Sequence, residues 1–288
     1  KILGYKTQKF TYILYKLPKE KKCYHEFIIS KSSGGERKIH APIPHLKELQ
    51  SRLSDLLQEC YENINNSYKV KHDSVHGFKK NKSIMTNAIK HRNKRFVFNI
   101  DIKDFFGSIN FGRIRGFLIH DNKFKLNDNI ATIIAQIACY NHVLPQGSPC
   151  SPVISNILGN LLDVHLNKIA YKNGLIYSRY ADDITFSTNK KIFPENVAIK
   201  SSNHTNSWEP GKDLLGALKR ANFLLNNKKT RMQFKDSRQD VTGLIVNKKI
   251  NVKYEYRKKI RAMVHSLLTT GNFYIQNICN DKLEVNSR

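Results

Sequence analysis

The sequence predicts an α+β fold, because strand-type and helix-type segments are mixed along the chain without strict β–α–β alternation. Short runs of β-branched and aromatic residues bounded by turn residues indicate strands. Leucines repeated at intervals of three and four residues indicate amphipathic helices. The 288 residues suffice for one large domain or two modest ones with a sizeable core.

The first half of the chain contains two well-marked elements. A hairpin is predicted at 24–42, where two short strands flank a turn rich in serine and glycine. The spacing of the leucines from Leu46 to Leu57 predicts a helix over 45–63. Three further segments predict a helix at 83–91, a buried strand at 96–101 and an apolar helix at 130–140.

The second half begins with a helix predicted over 151–170, whose first turn accommodates Pro152. A hairpin follows at 176–187, and the polar, aperiodic stretch 190–208 predicts a loop or an insertion. The remaining elements are an amphipathic helix, a hairpin and a basic helix that ends before a glycine, at 212–225, 241–250 and 254–268.

The composition points to a polyanionic partner. Lysine and arginine number 49 against 23 acids, which gives a formal net charge of +26 spread over the whole length. The five cysteines are odd in number and form no Cys-x-x-Cys pair, so we expect neither a disulfide framework nor a zinc site. We expect a cytoplasmic protein without a membrane partner. The cysteines are expected to be reduced, no apolar run approaches the about 20 residues of a membrane span, and no signal peptide is recognised.

Acidic residues stand at the ends of two predicted strands. Asp182 and Asp183 occupy the tip of the 176–187 hairpin, and Asp101 ends the strand at 96–101. Adjacent carboxylates are costly unless a cation neutralises them, although an isolated Asp-Asp turn is more simply solvated. Because two such sites occur in one basic chain, we predict a phosphoryl-transfer centre with two Mg²⁺ ions, for which Mn²⁺ is an acceptable substitute.

Seven motifs occur in a recognisable order, namely GERKIHAP at 35–42, HGF at 76–78, NIDIKDFF at 99–106, LPQG at 144–147, YADD at 180–183, KT at 229–230 and VTGL at 241–244. With these motifs, residues 30–270 resemble the prokaryotic reverse transcriptases that include retron and defence-associated enzymes. The resemblance implies a right-hand polymerase with fingers, a palm and a small helical thumb. The implied division is an N-terminal region and fingers at 1–95, a palm at 96–246 with fingers insertions near 107–140, and a thumb and C-terminal region at 247–288.

The resemblance also implies roles for the acidic motifs. Asp101 and Asp182 would bridge the two metal ions, Asp183 would be a third carboxylate, and Ile102 would offer its backbone carbonyl. Lys229 is a candidate general acid for the pyrophosphate leaving group. A simple contact between the Lys229 ammonium and phosphate is an equally good interpretation.

A second set of residues would bind the incoming dNTP. By resemblance Arg37 grips the triphosphate, for which a guanidinium is well shaped, and Lys38 stands beside it. Gln146 and Gly147 would line the nucleotide pocket. Phe106 would stack under the sugar and exclude a 2′-hydroxyl, which favours dNTPs over rNTPs.

The implied function is RNA-directed DNA synthesis from a primer 3′ end, on a dedicated non-coding RNA in antiphage defence, with an RNA–DNA duplex as product. The stretches around 229–243 and 261–265 resemble the defence-associated group more than retron enzymes. Four alternatives remain open: a retron-type enzyme that makes RNA-linked DNA, untemplated or homopolymer synthesis, an RNA-templated RNA polymerase, and a catalytically idle RNA-binding protein. The three intact carboxylates argue against the last, and Phe106 argues against the RNA polymerase.

Overall fold

The computed structural model describes residues 3–17, 23–31, 34–67, 73–201, 207–276 and 282–286. The helices are α1 Thr7–Thr11, which continues as a π-helical turn at Tyr12–Lys16, α2 Pro44–Ser67, α3 Ile84–Lys90, α4 Phe111–His120, α5 Asp128–Ala138, α6 Ser151–Asn173, α7 Lys212–Arg220 and α8 Tyr254–Thr270. The strands are β1 Tyr24–Ser30, β2 Glu36–Pro42, β3 Phe96–Asp101, β4 Ile176–Tyr180, β5 Asp183–Thr188, β6 Ala198–Lys200, β7 Trp208–Pro210, β8 Arg231–Phe234, β9 Asp240–Val241, β10 Leu244–Ile245, β11 Asn272–Gln276 and β12 Lys282–Asn286.

A four-stranded antiparallel sheet in the order β4-β5-β3-β8 forms the centre of the fold. The pairs Phe98–Phe186 and Ile100–Ile184 lie on one face of this sheet and belong to the main hydrophobic core. Because side chains alternate between the faces of a strand, the pair Asp101–Asp183 lies on the other face. The sheet therefore holds two carboxylates opposite each other at the end of its two central strands.

The predicted elements at the centre of the molecule agree closely with the structure. The strand expected over 96–101 has those bounds in β3, and the hairpin expected over 176–187 is formed by β4 and β5. The helix expected over 151–170 continues to Asn173 as α6, and it ends at Gly174, whose φ of 64° is left-handed. The hairpin predicted over 24–42 is formed by β1 and β2, which pair from Tyr24–Pro42 to Ser30–Glu36.

The stretch 190–208, predicted as a loop or an insertion, is not purely a loop, and residues 202–206 of it lie outside the described residues. The strands β6 and β7 form a short hairpin there, because Phe193, Val197 and Ala198 are buried in the core despite the polar composition. The helix predicted over 212–225 ends at Arg220, before Asn222 adopts a left-handed φ of 53°.

The hairpin predicted over 241–250 is present as an antiparallel bridge between Ile245 and Asn251, and a second, earlier reversal precedes it. β9 and β10 pair Val241 with Leu244, so the turn is at Thr242 and Gly243, both of which have positive φ, 47° and 83°. Two consecutive positive φ angles are the requirement of the tight turn that matches strand twist. In the described part of the chain, no helix is long and apolar enough to cross a membrane.

Candidate active site

The three carboxylates predicted to bind metal lie at one end of the central sheet. Asp101 ends β3 and is 4% exposed, and its register partner on β5 is Asp183. Asp182 lies in the turn between β4 and β5, and its carbonyl accepts a hydrogen bond of 3.0 Å from the Ile102 N–H. Ala181 enters this turn with a left-handed φ of 55°. The turn and the end of β3 are therefore joined through the backbone as well as by sheet pairing.

A buried ion pair supports the turn from below. Arg179 is fully buried, and its guanidinium donates to both carboxylate oxygens of Asp163 on α6, at 2.8 and 2.7 Å. The same guanidinium donates to the Ala181 carbonyl at 3.0 Å and to Asn156 at 3.3 Å. The Tyr177 hydroxyl donates a further hydrogen bond of 2.5 Å to Asp163. The charge of Arg179 is thus compensated, and its remaining donors hold the backbone that carries Asp182.

The HGF motif packs directly on the same turn. The His76 N–H donates to the Arg179 carbonyl at 2.8 Å, and Val75 forms a parallel bridge with Arg179, which extends the sheet edge at β4. A Cβ atom added to Gly77 would lie 2.4 Å from the Ala181 nitrogen. Only glycine permits so close an approach of two backbones, which explains the residue at this position.

Lys229 and Asn226 contact the innermost carboxylate. The Lys229 ammonium lies 2.7 Å from Asp101 Oδ1, and the Asn226 side chain donates to Asp101 Oδ2 at 3.2 Å. The Asn226 N–H also donates to the Asp101 carbonyl at 2.8 Å. The hydrogen bond to Asp101 raises the pKa of Lys229, so the ammonium is firmly protonated in this arrangement. Sequence reasoning placed Lys229 near the site but missed Asn226, which lies in a polar turn without a periodic signal.

The electrostatics of the turn favour a bound cation. Burial raises the pKa of Asp182, and the neighbouring Asp101 carboxylate raises it further. Asp183 is exposed overall but lines the cleft, where partial loss of water raises the pKa of its carboxyl to about 6, with added effects from Asp182 and Asp101. Burial and the nearby carboxylates both disfavour the ionised forms of Asp182 and Asp183, and a divalent cation would offset both effects.

The donor set of the site fits a hard divalent ion such as Mg²⁺, because it consists of carboxylate oxygens and a backbone carbonyl. Ile102, whose carbonyl completes the predicted set, lines the cleft beside Asp101. Within the described ranges, no group of three or more His, Cys, Asp or Glu side chains is already gathered tightly enough to hold a metal ion. The Lys229 ammonium instead lies against Asp101, where it neutralises part of the negative charge.

The three carboxylates line a cleft of about 1220 Å³, and residues of the β1–β2 hairpin form another part of its wall. Arg37 and Lys38 line this cleft from β2, and the positive charge of Arg37 opposes the rise in the pKa of Asp182. Lys38 forms an ion pair of 2.6 Å with Glu26 across the hairpin. The hairpin therefore brings two positive side chains to the cavity that contains the acidic cluster.

The LPQG loop holds the hairpin in this position. The His40 N–H donates to the Gln146 carbonyl at 2.7 Å, and Gln146 lines the cleft. Gly147 has a φ of 120°, and a Cβ there would lie 2.8 Å from the His40 carbonyl oxygen. Gly147 thus packs against the backbone of β2, whereas the cavity wall beside it is formed by Gln146.

Phe105 and Phe106 take up different environments. Phe105 is buried in the core, whereas Phe106 is partly exposed and lines the cleft. Their rings meet edge to face with centroids 5.6 Å apart. The predicted sugar-contacting residue is therefore placed on the floor of the cleft that Asp101 also lines.

A family profile described as reverse transcriptase (RNA-dependent DNA polymerase) matches residues 29–254. The chain is 31% identical over 246 residues to the retron Ec86 reverse transcriptase of Escherichia coli, covering 84% of this chain and 68% of that protein. It is 33% identical over 264 residues to the retron Mx65 reverse transcriptase of Myxococcus xanthus, covering 86% of this chain and 57% of that protein. The chain thus spans 57 to 68% of the length of these two relatives.

Solved telomerase structures share the fold. The telomerase of Candida tropicalis, in complex with a TWJ fragment of telomeric RNA, superposes with a TM-score of 0.51 at 15% identity, covering 79% of this chain and 44% of that one. The corresponding Candida albicans complex gives a TM-score of 0.52 at 14% identity, covering 81% and 45%. The fold class is the predicted one, a right-hand polymerase of mixed helices and strands.

Proposed function

The chain belongs to the reverse transcriptase family, and from this membership we propose that it is an RNA-directed DNA polymerase that adds dNTPs to a primer 3′ end. The observation that carries the proposal is the register of Asp101 with Asp183 at the sheet end, with Asp182 beside them in the same cleft. Members of this family use divalent metal ions and dNTPs. The division into fingers at 1–95, palm at 96–246 and thumb at 247–288 is part of the same proposal.

Asp101, Asp182, Asp183 and the Ile102 carbonyl would hold two Mg²⁺ ions, which when bound supply charge stabilisation to the attacking oxygen and the triphosphate. The protein would position both reactants, since phosphoryl transfer depends mainly on alignment and electrostatics. The Lys229 ammonium, which contacts Asp101 at 2.7 Å, would lie close enough to the metal ligands to serve the leaving group of a bound triphosphate. There it would donate a proton to the developing pyrophosphate.

The fingers side of the cleft would bind the nucleotide. Arg37 and Lys38 would contact the triphosphate, the former with the two-pronged geometry of a guanidinium. Gln146 would contact the base pair being formed, and Gly147 would keep the loop close to β2. Phe106 would lie under the sugar and exclude ribonucleotides.

The template would be RNA and the product an RNA–DNA duplex, in keeping with the net charge of +26. We propose a dedicated non-coding RNA as template and a role in antiphage defence. A retron-type enzyme that makes RNA-linked DNA is the second candidate, and the retron names of the relatives described above favour it. Cytoplasmic action is part of the proposal, and the odd number of cysteines without a Cys-x-x-Cys pair supports it.

The test is to purify the protein with any bound RNA, supply dNTPs and Mg²⁺, and sequence both the RNA and the DNA product. DNA complementary to one bound RNA supports a dedicated template, and a covalent RNA–DNA junction supports the retron type. DNA unrelated to the RNA would indicate untemplated synthesis. RNA binding without any DNA product would contradict the polymerase proposal and favour the idle RNA-binding protein.

A further inference from the structure

Phe78 combines three features that core packing and turn chemistry do not explain. It is 44% exposed although it is a large apolar residue. Its φ of 54° is left-handed, a conformation that glycine and asparagine adopt more readily than phenylalanine. It lines both the main cleft and a smaller cavity of about 140 Å³ between α2 and α6. Strained bulky residues of this kind concentrate at functional sites.

The backbone of Phe78 is anchored to the carboxylate turn. Gly77 packs against the Ala181 nitrogen, and the Gly77 carbonyl accepts a hydrogen bond of 2.8 Å from Asn156. Asn156 in turn accepts from Arg179, the buried residue that holds the Ala181 carbonyl. The position of Phe78 is therefore coupled to the position of the metal-binding turn rather than to a free loop.

The side chain of Phe78 meets Phe106. The two ring centroids are 6.1 Å apart and the planes are tilted by 57°, a favourable arrangement for aromatic rings. Phe105 contacts Phe106 on its buried side at 5.6 Å, so Phe106 lies between a core aromatic and an exposed one. All three rings line the cleft, and Phe105 is the buried member of the row, 3% exposed.

We propose that Phe78 is a specificity-determining residue that holds Phe106 in the position from which it excludes a ribose 2′-hydroxyl. This inference rests on the proposed polymerase function and on the sugar-contacting role of Phe106. A steric gate discriminates only if its ring cannot yield, because a shift of about 1 Å would admit the extra oxygen. Phe106 contacts both Phe105 and Phe78, so both rings restrict its movement.

The experiment measures kcat/KM for insertion of dCTP and of CTP opposite a template guanine, on an RNA template with a DNA primer. The variants are Phe78→Ala, Phe106→Ala and the double variant, with Phe27→Ala as control. Phe27 is a similarly exposed phenylalanine on β1, 47% exposed, that does not line the cleft. Loss of one aromatic contact should lower the dCTP/CTP preference of Phe78→Ala about 2- to 10-fold.

The result expected is that this loss comes mainly from faster CTP insertion, with dCTP insertion within about twofold of the wild type. The double variant should have a dCTP/CTP preference no lower than that of Phe106→Ala alone, because both changes remove the same gate. Phe27→Ala should discriminate like the wild type. Phe78→Asn should reproduce the loss while unfolding at the same or a higher temperature, since asparagine tolerates the left-handed backbone.

Three results would overturn the inference. An unchanged preference in Phe78→Ala and Phe78→Asn, beside a lowered one in Phe106→Ala, rejects Phe78 alone and leaves the proposed function standing. Effects of the two substitutions that multiply in the double variant reject the coupling between the rings. Absence of dCTP insertion by the wild type rejects the proposed function, and the inference with it.

Discussion

The buried pair of Arg179 and Asp163 should dominate the stability of the site. Their side chains are 0% and 3% exposed, so water cannot compensate either charge. Asp163→Asn keeps the size of the side chain but removes its charge. The new amide N–H₂ would face one guanidinium N–H, and two donors cannot form a hydrogen bond with each other. Arg179 would then be buried without a counter-ion, which typically costs about 3–5 kcal/mol.

The assay is urea unfolding followed by circular dichroism at neutral pH. The control is Glu48→Gln, which breaks the exposed pair of Glu48 and Arg52 on α2 and should cost less than about 1 kcal/mol. The double variant Asp163→Leu, Arg179→Met should recover part of the loss, because no charge is left buried. A loss of under 1 kcal/mol for Asp163→Asn would refute the claim that this pair supports the turn.

Three further predictions follow from individual contacts. First, burial lowers the pKa of His91 from 6.5 to about 3, so the unfolded chain takes up the proton at a higher pH than the folded protein does. The free energy of unfolding should therefore fall as the pH decreases from 6.5 towards 3, by about 2 kcal/mol at pH 5. Urea unfolding at several pH values measures this dependence, and His91→Gln should flatten it. Second, Gly77→Ala should destabilise the protein by about 1–3 kcal/mol and slow nucleotide insertion, whereas Gly116→Ala in α4, where a Cβ meets nothing within 4 Å, should be neutral or stabilising in the same assays. Third, Lys229→Met should lower kcat for dNTP insertion about 100-fold with little change in KM; if Lys229→Arg, which keeps the charge but does not release a proton, restores the rate, the general-acid role is wrong.

The sequence predicted the elements that carry strong local patterns. β3 could be placed because a buried central strand is almost continuously apolar. The hairpin that carries Asp182 could be placed because two strand-type runs flank its turn. The short hairpin of β6 and β7 escaped prediction, since a few buried residues such as Phe193 hold it within a polar stretch.

The contacts that support the site were less visible in the sequence. Arg179 stands between Ser178 and Tyr180, and Asp163 lies within a long helix. Only the tertiary structure shows that they are 2.7 Å apart and buried. Asn226 binds Asp101 from a turn whose composition indicates nothing beyond polarity. Phe78 was part of a recognised motif, but its contact with Phe106 depends on a left-handed backbone that sequence patterns do not reveal.

The most direct test of the central claim is primer extension with a defined RNA template, a DNA primer, dNTPs and Mg²⁺, comparing the wild type with the double variant Asp182→Asn, Asp183→Asn. Both proteins should bind the primer–template equally. The variant should unfold at the same urea concentration as the wild type or at a higher one, because the substitutions relieve carboxylate repulsion. The account predicts DNA complementary to the template from the wild type and no extension by the variant. Equal extension by both proteins would contradict the assignment of the active site to this turn.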